Sequence, residues 1–289
     1  MPDPSQATPL IEPYELRHPA VPPRLDGFRL LHLSDLHTRH RDPARAVRTP
    51  LVRRLLAELA AVEVDLVCLT GDETDSERAA PAAMAVVRCL AEAWRSRLGA
   101  VAVFGNHDRR VMRRLADRHQ RTSPSIRWLD ADGWQPQAHD LPLRIVGTSY
   151  PEDALGAHLR ANEENTHDDR LTLALAHHPA GALAHAVLGA HIVVSGHTHG
   201  GQLRPHRRLG FYTSSDLPHR VAWGIVRAHN ALLCISRGLG TTGIHARINC
   251  PPHAPLFTLR RGPMPKSEQP DARTAERDRV LGVQRVLAW

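Results

Sequence analysis

The chain has 289 residues, 42% of them apolar but only 4% aromatic, so one large α/β domain with an aliphatic core is the simplest expectation. A formal charge of +7 and a pI near 10 favour anionic partners, and a single lysine, Lys266, argues against Schiff-base chemistry while abundant arginine suits phosphate recognition. The cysteines Cys68, Cys89, Cys234 and Cys250 show no CxxC spacing and no segment has the length of a membrane span, which predicts a reduced cytoplasmic protein with at most a peripheral membrane contact.

Residues 1–27 are rich in proline and polar groups and predict an extended N-terminal segment; the domain is expected over 28–262. Phe28 to Leu33 reads as a buried strand, and Leu51, Val52, Leu55, Leu56 and Leu59 then recur at helical spacing. Val64 to Thr70 reads as the next strand, Ala79 to Arg95 as a helix, and Ala100 to Phe104 as a third strand. This alternation predicts a largely parallel sheet. The second half is richer in strands, at Leu143 to Gly147, Leu171 to Ala176, His191 to Val194, Arg220 to Ala228, Ala231 to Ser236 and Pro255 to Arg260. His229-Asn230 has the length of a two-residue hairpin turn. Residues 263–289 form a charged tail whose end (Val280, Leu281, Val283, Val286, Leu287, Trp289) is expected to make one apolar helix face.

Five polar clusters each follow a predicted strand: Asp35-Leu36-His37, Gly71-Asp72, Gly105-Asn106-His107-Asp108, His177-His178-Pro179 and Gly196 to Gly201. Open α/β sheets bind ligands beyond the carboxyl ends of their strands, where all five fall. Together they offer carboxylate, amide and imidazole, a ligand set for hard-to-borderline divalent ions. Such a set can hold two ions about 3.5–4 Å apart and supports metal-assisted hydrolysis, most simply at phosphorus. His18, His119, His139, His158, His206 and His219, outside the clusters, read as surface or loop residues.

The ordered motifs DxH, GD, GNHD, a late His and GHTHGG resemble the calcineurin-like metallophosphoesterase superfamily, from Arg24 to Arg260. GHTHGGQ at Gly196 to Gln202 and SRGLGTTG at Ser236 to Gly243 are similar to a bacterial branch that includes phosphodiesterases and relatives of UDP-2,3-diacylglucosamine hydrolases. The resemblance implies a four-layer α-β-β-α sandwich of two mixed sheets, with a dimetal site at the carboxyl ends of the strands. It further implies that Asp35, His37 and His199 hold one ion, that Asn106, His177 and His197 hold the other, and that Asp72 bridges them. The family pattern places one histidine two residues before a proline, which selects His177 over His178. His107 is then the candidate general acid, oriented by Asp108, and Arg237 a candidate substrate contact.

The implied cofactors are two divalent ions, Mn, Fe or Zn, and the implied reaction is attack of a metal-bridging hydroxide on a phosphodiester or pyrophosphate. Expected partners are a small phosphate ester or a nucleotide-linked lipid, with no obligate protein partner. Pyrophosphate hydrolysis of the lipid A type, a nuclease and a non-catalytic metal-binding module are the alternatives. Three tyrosines, four phenylalanines and five tryptophans supply a nucleic-acid track poorly.

Overall fold

The computed structural model describes residues 8–108, 110–122, 125–134, 136, 141–162, 169–205, 217, 221–267 and 283–287. The first half contains β1 (Ile11–His18), β2 (Arg29–Leu33), α1 (Pro43–Ala46), α2 (Pro50–Leu59), β3 (Glu63–Val64), β4 (Leu66–Leu69), α3 (Ala80–Ala93), β5 (Arg95–Ser96), β6 (Ala100–Ala102), α4 (Arg110–Thr122) and β7 (Ile126–Trp128). The second half contains β8 (Asp132–Trp134), β9 (Leu143–Thr148), α5 (Ala154–Asn162), β10 (Leu171–Ala176), α6 (Pro179–Val187), β11 (Ile192–Ser195), β12 (Gly224–Ala228), β13 (Ala231–Ile235), β14 (Ala254–Arg261) and β15 (Val283–Leu287). One sheet runs β1-β14-β2-β4-β6-β7, the other β15-β12-β13-β11-β10-β9-β8, and β3 pairs with β5 separately.

Strand alternation sorts the side chains between the layers. Leu31, Leu33, Val67 and Leu69 face outward from the first sheet onto α2 and α3, against Leu55, Leu59, Val86 and Leu90. Leu30, Leu66, Cys68 and Val101 face the other way and meet Leu173, Leu175, Ile192 and Val194 of the second sheet. The outer face of the second sheet carries small residues, Ala174 and Ala176, so the alanine-rich α6 packs close through Ala182 and Ala186. The result is the four-layer α-β-β-α sandwich expected from the motifs. Strands β2, β4, β6 and β7 run parallel in one sheet, as do β9, β10, β11 and β13 in the other. Both sheets therefore present their parallel strand ends at one edge. β12 and β13 form the expected hairpin across His229, which takes a left-handed φ of 52°.

Two ends of the chain differ from expectation. β1 pairs with β14 over eight residues, from Ile11 with Ala254 to His18 with Arg261, so residues ahead of 28 extend the first sheet. At the carboxyl end, Val283–Leu287 is not a helix but strand β15, antiparallel to β12. Its apolar positions fit a helix face, yet the free edge of β12 offers a backbone ladder and Val283 is buried against the second sheet. Residues 280–282, 288 and 289 of that expected helix, and Arg220 to Trp223 of the expected β12 strand, lie outside the described residues or outside the strand.

The histidines outside the motifs also differ. His18, His119 and His158 are buried, not on the surface. His18 Nε2 contacts the Asn230 carbonyl at 2.9 Å, and His158 Nε2 meets Nδ1 of buried His185, also at 2.9 Å. Burial lowers the pKa of His158 to about 4 and that of His185 to about 3, so both are neutral polar members of the core. His139, His206 and His219 lie outside the described residues.

Candidate metal centre

Each motif leaves the end of a parallel strand and turns sharply. Asp35, His37, Asp72, His197 and His199 take left-handed φ values of 55°, 44°, 56°, 70° and 49°. Such a backbone costs a non-glycine residue of order 1–3 kcal/mol each and survives only where surrounding bonds over-determine it. Those bonds are present. Asp35 N–H donates to the Gly71 carbonyl (3.0 Å), His37 N–H to the Asp72 carbonyl (2.9 Å), and Gly196 N–H to the His177 carbonyl (3.0 Å). Two glycines permit the close approach: a Cβ on Gly71 would strike the backbone of Gly105, and one on Gly196 would strike Ser34 Oγ and the Asp35 carboxylate.

The motifs then meet. Asp72 Oδ2 lies 3.4 Å from His37 Nε2 and 3.2 Å from His177 Nε2. His199 Nε2 is 3.1 Å from His37 Nε2 and 3.6 Å from Asp35 Oδ1. His177 Nε2 is 3.2 Å from both Asn106 Oδ1 and His197 Nδ1. Asp35, His37 and His199 form one cluster of potential donors, and Asp35, Asp72 and His177 another. All seven residues expected to ligate are therefore gathered, and Asp72 stands between the two halves. The far nitrogens of two imidazoles are engaged elsewhere, as metal-binding histidines require. His177 Nδ1 donates to the Thr70 carbonyl (2.7 Å), and His37 Nδ1 to Asp75 Oδ1 (3.3 Å). This donor set fits divalent ions.

His178, the alternative to His177, is held by Glu152 at the margin of the centre. Its Nδ1 lies 3.3 Å from Glu152 Oε2, and its backbone N–H donates to Glu152 Oε1. Its ring nevertheless stacks edge-on against His197 at 3.9 Å, and a third donor cluster comprises His177, His178 and His197.

Two further candidate residues have partners that the sequence reading did not anticipate. Asp108 does not touch His107. Its buried carboxylate accepts backbone N–H groups from Asp72 (2.6 Å), Gly105 (3.0 Å) and Thr74 (3.1 Å), so it pins the Asp72 loop instead. Burial and the nearby Asp72 charge raise its pKa to about 6. His107 is oriented by the backbone: its N–H donates to Asp72 Oδ1 (2.8 Å) and its Nδ1 contacts the Asp75 carbonyl (3.1 Å). Arg237 is buried and its Nη2 donates to Glu12 Oε1 of β1 at 2.6 Å, an ion pair across the fold that the sequence reading did not foresee.

Sequence reading passed over three positioning residues. Asp75, three residues beyond the GD motif, holds His37 through its carboxylate and His107 through its carbonyl. Arg247 donates to the carbonyls of Arg237, Gly238 and Gly240 and lies 3.3 Å from His199 Nδ1, tying the loop after β13 to the last motif. Thr70 serves both halves of the centre. Its hydroxyl donates to Ser34 Oγ (2.7 Å), which donates to Asp35 Oδ2 (2.6 Å), while its carbonyl takes the His177 proton. His32, held neutral by burial with a pKa of about 3, donates Nε2–H to Thr70 Oγ1 at 2.8 Å. Thr70→Val is expected to weaken divalent-ion affinity about 10- to 100-fold, with Thr70→Ser restoring it. Calorimetric titration with Mn²⁺ checks this, and an unchanged affinity in Thr70→Val would remove the hydroxyl from the centre.

The centre carries protons that an ion must displace. Burial alone would lower the pKa of His37, but hydrogen bonds to Asp72 and Asp75 and the Asp72 and Asp35 charges raise it to about 9. His177 likewise rises, against burial, to about 10 through Asp72, Asp35 and the Thr70 carbonyl. Burial would also raise the Asp72 pKa, but His177 and His37 pull it well below the usual carboxylate range. Ion loading at pH 7.5 should therefore release about two protons, one from each ring. Titration in two buffers of different ionisation enthalpy measures this, and release of no protons would contradict it. The linkage has a definite sign. Both folded pKa values lie above the ordinary histidine value of 6.5, so the ion-free fold binds extra protons. Its stability from these groups is complete below about pH 6.5 and falls as pH rises through 9 to 10. Stabilisation by added ion should grow over the same window.

The family model described as Calcineurin-like phosphoesterase matches residues 28–201, a span that contains all seven candidate ligands. A Bacillus subtilis (strain 168) protein named Uncharacterized metallophosphoesterase YkuE is 24% identical over 251 residues, covering 86% of this chain and 84% of that protein. A second from the same organism, Uncharacterized metallophosphoesterase YkoQ, is 26% identical over 249 residues, covering 82% and 85%. A Danio rerio protein named Transmembrane protein with metallophosphoesterase domain is 26% identical over 249 residues, covering 79% of this chain and 52% of that protein. Among the described residues here, no helix is long and apolar enough to cross a membrane.

Proposed function

This chain belongs to the calcineurin-like phosphoesterase family, and from that premise we propose that it hydrolyses a phosphodiester or pyrophosphate at the cluster described above. It is a metal-dependent phosphoesterase. The observation that carries the finer reading is the convergence of donors from both sheets on Asp72, with His107 at their margin. Asp35, His37 and His199 are assigned to one ion, Asn106, His177 and His197 to the other, and Asp72 to both. When bound, such ions supply Lewis acidity toward phosphoryl oxygens and a nucleophile at neutral pH. The mixed oxygen and imidazole set suits Mn, Fe or Zn better than Mg alone.

The chain's own groups do the rest. Asp72 fixes the backbone of His107, and Asp75 fixes its ring through Nδ1. Nε2 is the nitrogen left to deliver a proton to the departing oxygen. His107 lies edge-on to His37, with ring centroids 4.8 Å apart, and one of its ring nitrogens clusters with His37 and Asp72. The ring is thus beside the cluster but outside the seven assigned ligands.

The test is turnover of bis-p-nitrophenyl phosphate and p-nitrophenyl phosphate by the Mn²⁺-loaded protein. Cleavage of the diester is the expected result. Turnover of the monoester alone would move the assignment to a phosphatase, and turnover of neither with about two ions bound would overturn it.

A further inference from the structure

We propose that His178 is a further ligand of the ion assigned to Asn106, His177 and His197, with Glu152 as the carboxylate that orients it. This rests on the phosphoesterase reading and deepens it, because it makes the two halves of the centre unequal. A ring nitrogen of His178 lies within 4.8 Å of the donor atoms of both His177 and His197. The ring is fixed from two sides. It stands edge-on to His197, with centroids 3.9 Å apart, and edge-on to Tyr150 at 4.8 Å. His178 precedes Pro179 at the start of α6, yet its side chain makes no capping bond to that helix. Its imidazole is therefore not spent on the orphan N–H groups of the helix end.

Glu152, in the loop between β9 and α5, grips this residue twice. Its Oε2 lies 3.3 Å from His178 Nδ1, and its Oε1 accepts the His178 backbone N–H at 3.0 Å. Gly181 in the first turn of α6 makes room for it, since a Cβ there would come within 2.9 Å of Glu152 Cγ. The other half of the centre repeats the arrangement, with His37 Nδ1 3.3 Å from Asp75 Oδ1. A carboxylate on one ring nitrogen fixes the tautomer and raises the basicity of the other, which prepares an imidazole to bind a metal. Nε2 is thus the nitrogen assigned to the ion. The His178 side chain is 21% exposed where that of His177 is 0%, so it borders solvent where His177 does not. One half of the centre then gathers the imidazoles of His177, His178 and His197, against His37, His199 and the Asp35 carboxylate in the other. Imidazole favours Zn²⁺ and carboxylate favours Mn²⁺, so the two halves differ in the ion they prefer.

The experiment titrates the ion-free full chain calorimetrically with Zn²⁺ and with Mn²⁺, and records the visible absorption of bound Co²⁺, which reads the ligands around each ion. His178→Ala is expected to weaken one of the two ions about 100-fold or more, with the larger loss for Zn²⁺, and to leave the other ion unchanged. Glu152→Gln should weaken the same ion about 10- to 100-fold. The Co²⁺ spectrum should change in His178→Ala, and added imidazole should restore both spectrum and affinity. A ring that only packs beside the centre would leave that spectrum as it is. His178→Gln, which keeps a polar side chain of similar size at this partly exposed position, should show the same loss at one ion. Unchanged affinities and an unchanged spectrum in His178→Ala, with both ions bound, would overturn the proposal and spare the phosphoesterase reading. Equal weakening of both ions in both His178 variants, with no return on adding imidazole, would also overturn it. Failure of the unaltered chain to bind either ion would count against the phosphoesterase reading itself.

Discussion

Asp72→Ala is expected to lower kcat/KM for the diester by about 10³-fold or more, the equivalent of losing several kcal/mol of metal-derived transition-state stabilisation at about 1.36 kcal/mol per tenfold. Three connections make this the most damaging single change in the centre. Asp72 Oδ2 faces His37 and His177, one from each half, and Oδ1 accepts the His107 backbone N–H. The substitution therefore removes the shared carboxylate and loosens the candidate acid together. It also removes the charge that raises the pKa of both rings, so the proton release on loading should shrink along with ion affinity. Ion content by mass spectrometry and turnover should fall in parallel. Full ion content with full activity would show that the two halves do not depend on a shared carboxylate. The loop itself should hold, because Asp108 still accepts the backbone N–H groups of residue 72 and Thr74.

What the sequence made legible was the set of residues whose side chains do chemistry. Asp35, His37, Asp72, Asn106, His177, His197 and His199 stand in short fixed motifs beside glycines, and every one reaches the centre. The strands behind them were legible for a related reason: LLHL, LVCL and LTLALA are buried on both faces and read as continuous apolar runs. The edges were not. β1 carries Pro13, Glu15 and Arg17 on its exposed positions, so IEPYELRH shows little apolar pattern, and it is held by its ladder to β14. β15 is five residues long, and three apolar side chains at that length satisfy a helix and a strand equally.

The positioning residues were hidden in a different way. Asp108 sits directly after His107, and the resemblance implied that it orients that ring. The turn at Gly105 sends its carboxylate back to the Asp72 loop instead. Arg237 and Glu12 are paired across most of the chain length, and no local pattern in the sequence announces such a bond. Thr70 and Asp75 act through one hydroxyl, one carboxylate and two backbone carbonyls, and a carbonyl has no signature in a sequence at all.

His107→Ala should separate proton delivery from ion binding. None of the seven assigned ligands is changed by it, so both ions are expected to remain, and kcat should fall about 10²-fold or more. The size of the loss should depend on the leaving group. A p-nitrophenolate departs without needing a proton, whereas an alkoxide does not, so the variant should lose far more activity on an alkyl ester than on the nitrophenyl ester. This dependence distinguishes an acid from a residue that merely shapes the site, because a distortion of the centre would depress both substrates alike. It also follows from the observed contacts: with Nδ1 against the Asp75 carbonyl and the backbone N–H on Asp72, the ring can present only Nε2 to the departing oxygen. Asp75→Asn provides the complementary test. It keeps the backbone carbonyl that meets His107 and alters only the side chain facing His37, so it should weaken ion binding more than it changes the leaving-group dependence. Equal losses on both esters in His107→Ala, with ions retained, would assign the ring to holding the phosphate and not to moving its proton.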